Sequence, residues 1–147
     1  MYKHLLIPTD GSELSNRAVA SAVEFARSLK AMVTFLYVQP EFPLPIAGEG
    51  AMLAPESRDE FAQSTREQAE RILAEAVAAA KAAGLETSTA TEVSDIPYQV
   101  IINTAQSQGC DLVFMASHGR KGLAGLLLGS ETHKVLTHCK VPVLVYR

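Results

Sequence analysis

Four glycines are spread between Phe114 and Ser130, in the stretch Phe-Met-Ala-Ser-His-Gly-Arg-Lys-Gly-Leu-Ala-Gly-Leu-Leu-Leu-Gly-Ser. The stretch leaves an apolar run, Leu112 to Ala116, and reaches Gly129-Ser130 where a helical pattern begins. A strand that empties through a glycine-rich loop into a helix start aims bare backbone N–H groups and the positive end of a helix dipole at one place. That layout suits an anion, and phosphate is the first to consider. The common phosphate cradles do not fit: no glycine is followed by lysine in the register of a P-loop, and Gly-x-Gly-x-x-Gly is absent.

A second polar turn, Pro8-Thr9-Asp10-Gly11-Ser12, follows the first apolar run. Asp10 serves either as a turn residue or as a ligand group, and Ser130 either as a helix cap or as a phosphate donor, two roles that one helix end can combine. Arg120 and Lys121 read equally as ordinary solvated charges and as groups placed to neutralise polyphosphate, whereas Gly122 and Gly125 read as loop flexibility. His118 falls in the turn itself. His4, His133 and His138 read as structural or surface residues, since a separation of five on one helix does not make a metal pair. Neither a Ser-His-Asp order nor paired carboxylates compel a hydrolytic mechanism.

These turns must be held by alternating strands and helices. His4-Leu5-Leu6-Ile7, closed by Pro8, is a short run suited to a strand buried on both faces. Ser12 caps a helix with apolar positions at Ala18, Ala22, Phe25, Ala26 and Leu29, and Ala31 to Val38 reads as the second strand. Residues 39–56, with four prolines, form a long irregular connection of the kind used for lids or binding segments. Ser57-Arg-Asp-Glu60 has capping-box spacing and opens the longest helix, which Gly84 ends. The threonine-rich 85–93 segment suits an exposed edge strand. Pro97 starts a third helix ending near Gly109, Leu112 to Ala116 is the fourth strand, and Ser130 caps a helix to about His138 with Val135 and Leu136 facing inward. Val141 to Tyr146 is the fifth strand, and Pro142 assigns it to an edge.

The expected fold is α/β: a single-domain, open, five-stranded parallel sheet over residues 1–147, doubly wound in the order 3-2-1-4-5, with helices on both faces. Ligands of such a sheet bind outside the carboxyl ends of the strands where the winding reverses, which puts the Asp10 and His118 turns on opposite sides of one cleft.

Composition narrows the partners. A formal net charge of -3 offers no basic field for nucleic acid or an anionic membrane. Cys110 and Cys139 read as two buried, reduced thiols, and no apolar run approaches membrane-spanning length, so the expected location is cytoplasmic.

The spacing from Gly119 across nine residues to Gly129-Ser130, with Ala116 three residues earlier, resembles the Gly-x2-Gly-x9-Gly-(Ser/Thr) signature of the universal stress protein family. The opening Pro8-Thr9-Asp10-Gly11-Ser12, the Ser117-His118-Gly119 turn and the closing Val141-Pro142-Val143-Leu144-Val145 resemble it too, so the likeness spans essentially the whole chain. It implies binding of ATP with Mg2+ or another divalent cation. Pro8, Thr9 and Asp10 would form one wall, with Asp10 on the ribose hydroxyls. The backbone of Val38 would meet the adenine edge, and Met115 and Ala116 would line the nucleoside end. Gly119, Gly129 and Ser130 would hold the phosphates, and His118, Arg120 and Glu131 would complete the nucleotide-binding set. Ala116 replaces the first signature glycine, a change without cost where φ is negative. The resemblance further implies a regulatory homodimer paired through Val141, Val143 and Val145, with an unidentified protein partner. The alternatives are a dimeric scaffold that does not retain nucleotide and a slow ATPase.

Overall fold

The structure, a computed structural model, describes residues 1–44, 57–120 and 128–147. β1 (His4–Pro8), β2 (Met32–Gln39), β3 (Thr87–Val93), β4 (Leu112–Ala116) and β5 (Val143–Tyr146) form one sheet in the order β3-β2-β1-β4-β5. Every pairing is parallel. The helices are α1 (Glu13–Leu29), α2 (Arg58–Ala82), α3 (Pro97–Ser107) and α4 (Ser130–His138).

Strand alternation divides the apolar residues between two layers. Leu5, Ile7, Val33, Phe35, Leu112 and Phe114 meet the alanine-rich faces of α1 and α2. Leu6, Leu36, Val113 and Met115 meet Val100, Ile101 and Ala105 of α3 and Val135 of α4. A sheet covered on both sides needs side chains that are apolar at successive positions, hence the continuous runs in β1, β2 and β4. Phe35 is wholly buried, and removing such a side chain from water stabilises the fold by about 2–3 kcal/mol.

The helices start and stop on local signals. Ser12 accepts the Ser15 N–H, and Ser57 and Glu60 form the reciprocal capping box. Three helices leave toward the sheet through a residue of positive φ, Lys30 (56°), Gly84 (76°) and Gly109 (66°). At each exit the following N–H bonds back to the last turn: Ala31 to the Ala26 carbonyl, Leu85 to Ala80 and Cys110 to Ala105. Lys30 is the one non-glycine residue in this region of φ among the described residues.

Several boundaries differ from the sequence reading. β2 runs one residue later than expected, and β5 begins at Val143, so Val141 precedes the strand. Leu136 is 42% exposed and does not face inward. α4 buries Thr132 and Val135, three apart on one stripe, and Leu136 is turned about 100° from the buried Val135. The cap of α4 is Gly129, and Ser130 is its first helical residue. Cys110 is buried, but Cys139 is only half-buried because it ends α4. Of the long connections, residues 45–56 and 121–127, which include Lys121, Gly122 and Gly125, lie outside the described residues. Phe42 is described, and its ring meets Phe61 at the start of α2, edge to face at 5.4 Å.

Candidate functional site

The sheet order reverses between β1 and β4, and the turns that follow these two strands come together there. β1 ends at Pro8, in register with Leu36, and the Thr9 N–H donates to the Leu36 carbonyl at 2.9 Å. Among the described residues, no strand lies on the β1 side of β2 beyond this point. In β2 the N–H of Met32 and the carbonyl of Leu36 point toward β1, whereas the N–H of Val33 and the carbonyl of Gln39 point toward β3. The same alternation turns the N–H and C=O of Val38 to the β1 side. A donor and an acceptor on one residue suit the edge of a flat heterocycle.

The Asp10 turn is built by its own side chains. Ser15 Oγ donates to Thr9 Oγ1 at 2.8 Å and accepts from the Asp10 N–H at 3.2 Å. Asp10 Oδ1 accepts from the Ser12 N–H at 2.9 Å, and Oδ2 accepts from the Arg120 N–H at 2.8 Å. One carboxylate therefore joins both sides of the cleft. It retains acceptor capacity, because two carboxylate oxygens offer about four lone-pair sites. Gly11, at φ 74°, has no room for a side chain: a Cβ there would stand 2.9 Å from Ile72 and 3.2 Å from Arg120 Nη2. The Arg120 guanidinium thus lies over Gly11. Tyr37 lies near enough to both groups to feel them: burial pushes its phenol above the ordinary 10.0, the Arg120 charge opposes this and the Asp10 charge adds to it.

The β4 side closes in the same manner. Ser117 is buried, donates its N–H to the Tyr146 carbonyl at 2.7 Å and accepts the Gly129 N–H at 2.7 Å. Thr132 Oγ1 donates to the Ala116 carbonyl at 3.0 Å, fixing the first turn of α4 to the end of β4. His118 is half-buried, with Nδ1 3.2 Å from Ser117 Oγ. A Cβ on Gly119 would run into Asp10 Oδ2, and one on Gly129 would lie 3.2 Å from His118 Cα and 3.3 Å from the Ser117 carbonyl oxygen. A side chain at Gly119 would displace the Asp10 carboxylate, and one at Gly129 would press on the Ser117-His118 backbone. Gly129 supplies no capping side chain, so the N–H groups of Ser130, Glu131 and Thr132 at the start of α4 keep their capacity for an anion.

Not every expected site residue faces this cleft with its side chain. Met115 is buried in the α3/α4 layer, and the Ala116 methyl lies in the α1/α2 layer. Ala116 is a strand residue whose φ is not positive, so alanine at the first signature position carries no backbone strain. The Glu131 carboxylate is directed to α3, where it accepts the Tyr98 N–H at 2.8 Å. That bond crosses 33 residues and has no local sequence signal.

The chain is thus a doubly wound α/β protein whose crevice at the reversal of strand order is framed by an acidic turn and an open helix start. The family model of the universal stress protein family matches residues 1–147, and the chain belongs to that family. It is 30% identical over 149 residues to Universal stress protein YxiE of Bacillus subtilis, covering 100% of both chains. It is 31% identical over 157 residues to Universal stress protein MJ0577 of Methanocaldococcus jannaschii, covering 100% of this chain and 96% of the relative. The solved structure of MJ0577 superposes with a TM-score of 0.81 at 28% identity, covering 99% of this chain and 95% of that one. A universal stress protein in complex with cAMP superposes with a TM-score of 0.71 at 28% identity, covering 99% and 97%.

Proposed function

We propose that residues 1–147 act as one nucleotide-binding unit that holds ATP in the cleft between β1 and β4 and works as a cytoplasmic regulatory dimer in the stress response. The observation that carries this reading is the convergence of Asp10, Gly119-Arg120 and Gly129-Ser130 at the reversal of strand order, with Gly119 against Asp10 of the opposite wall and Gly129 against the Ser117-His118 turn. Asp10 would accept from ribose hydroxyls, the Val38 backbone would meet the adenine edge, and the first N–H groups of α4 would hold phosphate, with Arg120 supplying positive charge. A relative of the same fold in complex with cAMP supports an adenine nucleotide here. Because φ at Ala116 is not positive, alanine there is unstrained, which supports the nucleotide-binding reading over a scaffold without nucleotide.

The fit to a divalent cation is narrower. Among the described residues no group of three His, Cys, Asp or Glu side chains could hold a metal. Mg2+ would therefore arrive on the polyphosphate, held by phosphate oxygens and water, and would neutralise charge there.

The dimer would form along β5. Among the described residues this strand pairs only with β4 and closes one side of the sheet, so its other edge offers N–H and C=O groups to a second copy across a two-fold axis. Val143 packs against the α3/α4 layer, so backbone pairing rather than an exposed valine surface would make the contact.

Chromatography of small molecules released from the denatured protein, before and after incubation with Mg-ATP, tests the ligand. Adenine nucleotide near one equivalent is expected; none in either sample would overturn the reading. Sedimentation of the purified protein tests the dimer.

A further inference from the structure

Glu131 occupies the second position of α4, where an acidic side chain commonly turns back onto its own helix start. Here it does not. Its Oε2 accepts the N–H of Tyr98, the second residue of α3, and its Oε1 lies 3.3 Å from Lys134 Nζ. The start of α3 lacks a cap of its own: Ile96 has no polar side chain, and Pro97 has no N–H. Two further residues of the same α4 stripe reach the Tyr98 ring, with Lys134 Nζ 5.3 Å and the His138 ring 5.6 Å from its centroid.

We infer that Glu131 is a positioning residue for the phosphate end of the cleft, acting through the first turn of α3 rather than by touching nucleotide. Resting on the ATP-binding reading, the inference makes the Glu131–Tyr98 bond the link by which nucleotide occupancy reaches α3. Thr132 fixes the α4 turn to β4 from one side, and Glu131 fixes it to α3 from the other. The N–H groups of Ser130, Glu131 and Thr132 then hold one direction without being consumed by a cap. Since coupling between two sites is reciprocal, ordering the α4 turn with nucleotide must strengthen the Glu131–Tyr98 bond by the same factor by which that bond strengthens nucleotide binding. Val93 and Ile96, 55% and 54% exposed, stand just before α3 and would share the change.

The test measures ATP and AMP affinity by calorimetry for wild type, Glu131→Ala and Glu131→Gln, with amide hydrogen exchange at Tyr98 in wild type with and without saturating Mg-ATP. Glu131→Ala is expected to weaken both nucleotides by roughly five- to tenfold, and Glu131→Gln, whose neutral amide oxygen still accepts from Tyr98, by less. Exchange at Tyr98 in wild type should slow by a similar factor when ATP is bound, which a merely structural cap would not produce. Wild-type binding with unchanged Tyr98 exchange overturns the inference alone, whether or not the alanine variant folds. A gain in ATP affinity over AMP in Glu131→Gln would show a direct charge effect on phosphate and also overturn it. Failure of wild type to bind either nucleotide overturns the ATP-binding reading and this inference together.

Discussion

The two ends of the sheet are finished in opposite ways. At the amino ends of the strands, α1, α2 and α3 exit through backbone bonds made within a few residues, and Asp111 accepts the N–H groups of Lys3 and His4. Inside, the fully buried Thr34 hydroxyl lies 2.7 Å from His4 Nε2 and 2.6 Å from Ser88 Oγ, tying β1, β2 and β3 together. Asp111 gives the amino end one long-range tie from a side chain to the backbone, whereas at the carboxyl ends three such ties, Asp10 to Arg120, Thr132 to Ala116 and Glu131 to Tyr98, join the turns and helix starts. Such bonds can be remade around a ligand, whereas the backbone exits at the other end already satisfy their own groups. One end stabilises the fold and the other is left able to exchange partners.

The largest test of this division is Gly129→Val. Its side chain would have to enter space held by His118 and Ser117, so affinity for Mg-ATP should fall by about 50- to 100-fold, the scale of 2–3 kcal/mol of overpacking. Calorimetry beside circular dichroism checks that the fold survives; unchanged affinity would remove the site from this cleft.

An alkaline titration probes the closed end. Burial, with the Asp111 charge assisting and the Thr34 hydroxyl opposing, raises the Cys110 thiol from 9.0 to about 11. The folded state thus favours the neutral thiol. This contribution is complete below pH 9 and is lost as pH rises toward 11, amounting to roughly 2 kcal/mol. Urea midpoints across that window should fall less steeply in Cys110→Ala than in wild type.

Thr34→Val should cost about 1–1.5 kcal/mol in urea unfolding through its lost hydroxyl contacts, and leave nucleotide affinity within about twofold, since the two ends act independently. A larger change in affinity would break the comparison. The smallest effect is expected from Lys30→Gly, which relieves the positive φ at the end of α1 and should stabilise by about 0.5–1 kcal/mol, read as a raised thermal midpoint.

The division also explains what the sequence made legible. The β1, β2 and β4 runs are apolar at successive positions because both faces are covered, and the glycines after the helices stand where φ is positive, so strand order and helix ends were within reach. Periodicity over the nine residues of α4 does not locate its buried stripe finely enough to separate Leu136 from Val135, one step of about 100° away. Ser130 looked like a cap by residue type, yet the position is set by where Gly129 must approach Ser117. The pairing of Glu131 with Tyr98 joins residues with no local pattern between them, so only the folded arrangement reveals it.

The bond from Asp10 to the Arg120 N–H spans 110 residues, and the Ser117 N–H is held by Tyr146 in the last strand of the sheet. During synthesis the first half of the cleft emerges early and waits for the second, because closing so long a loop yields no reward until β4 and β5 are in place. On the proposed reading, nucleotide would stabilise only chains whose sheet is already assembled. Ligand retention would then be a check on finished folding, and a nascent chain stalled before α4 would gain nothing from it.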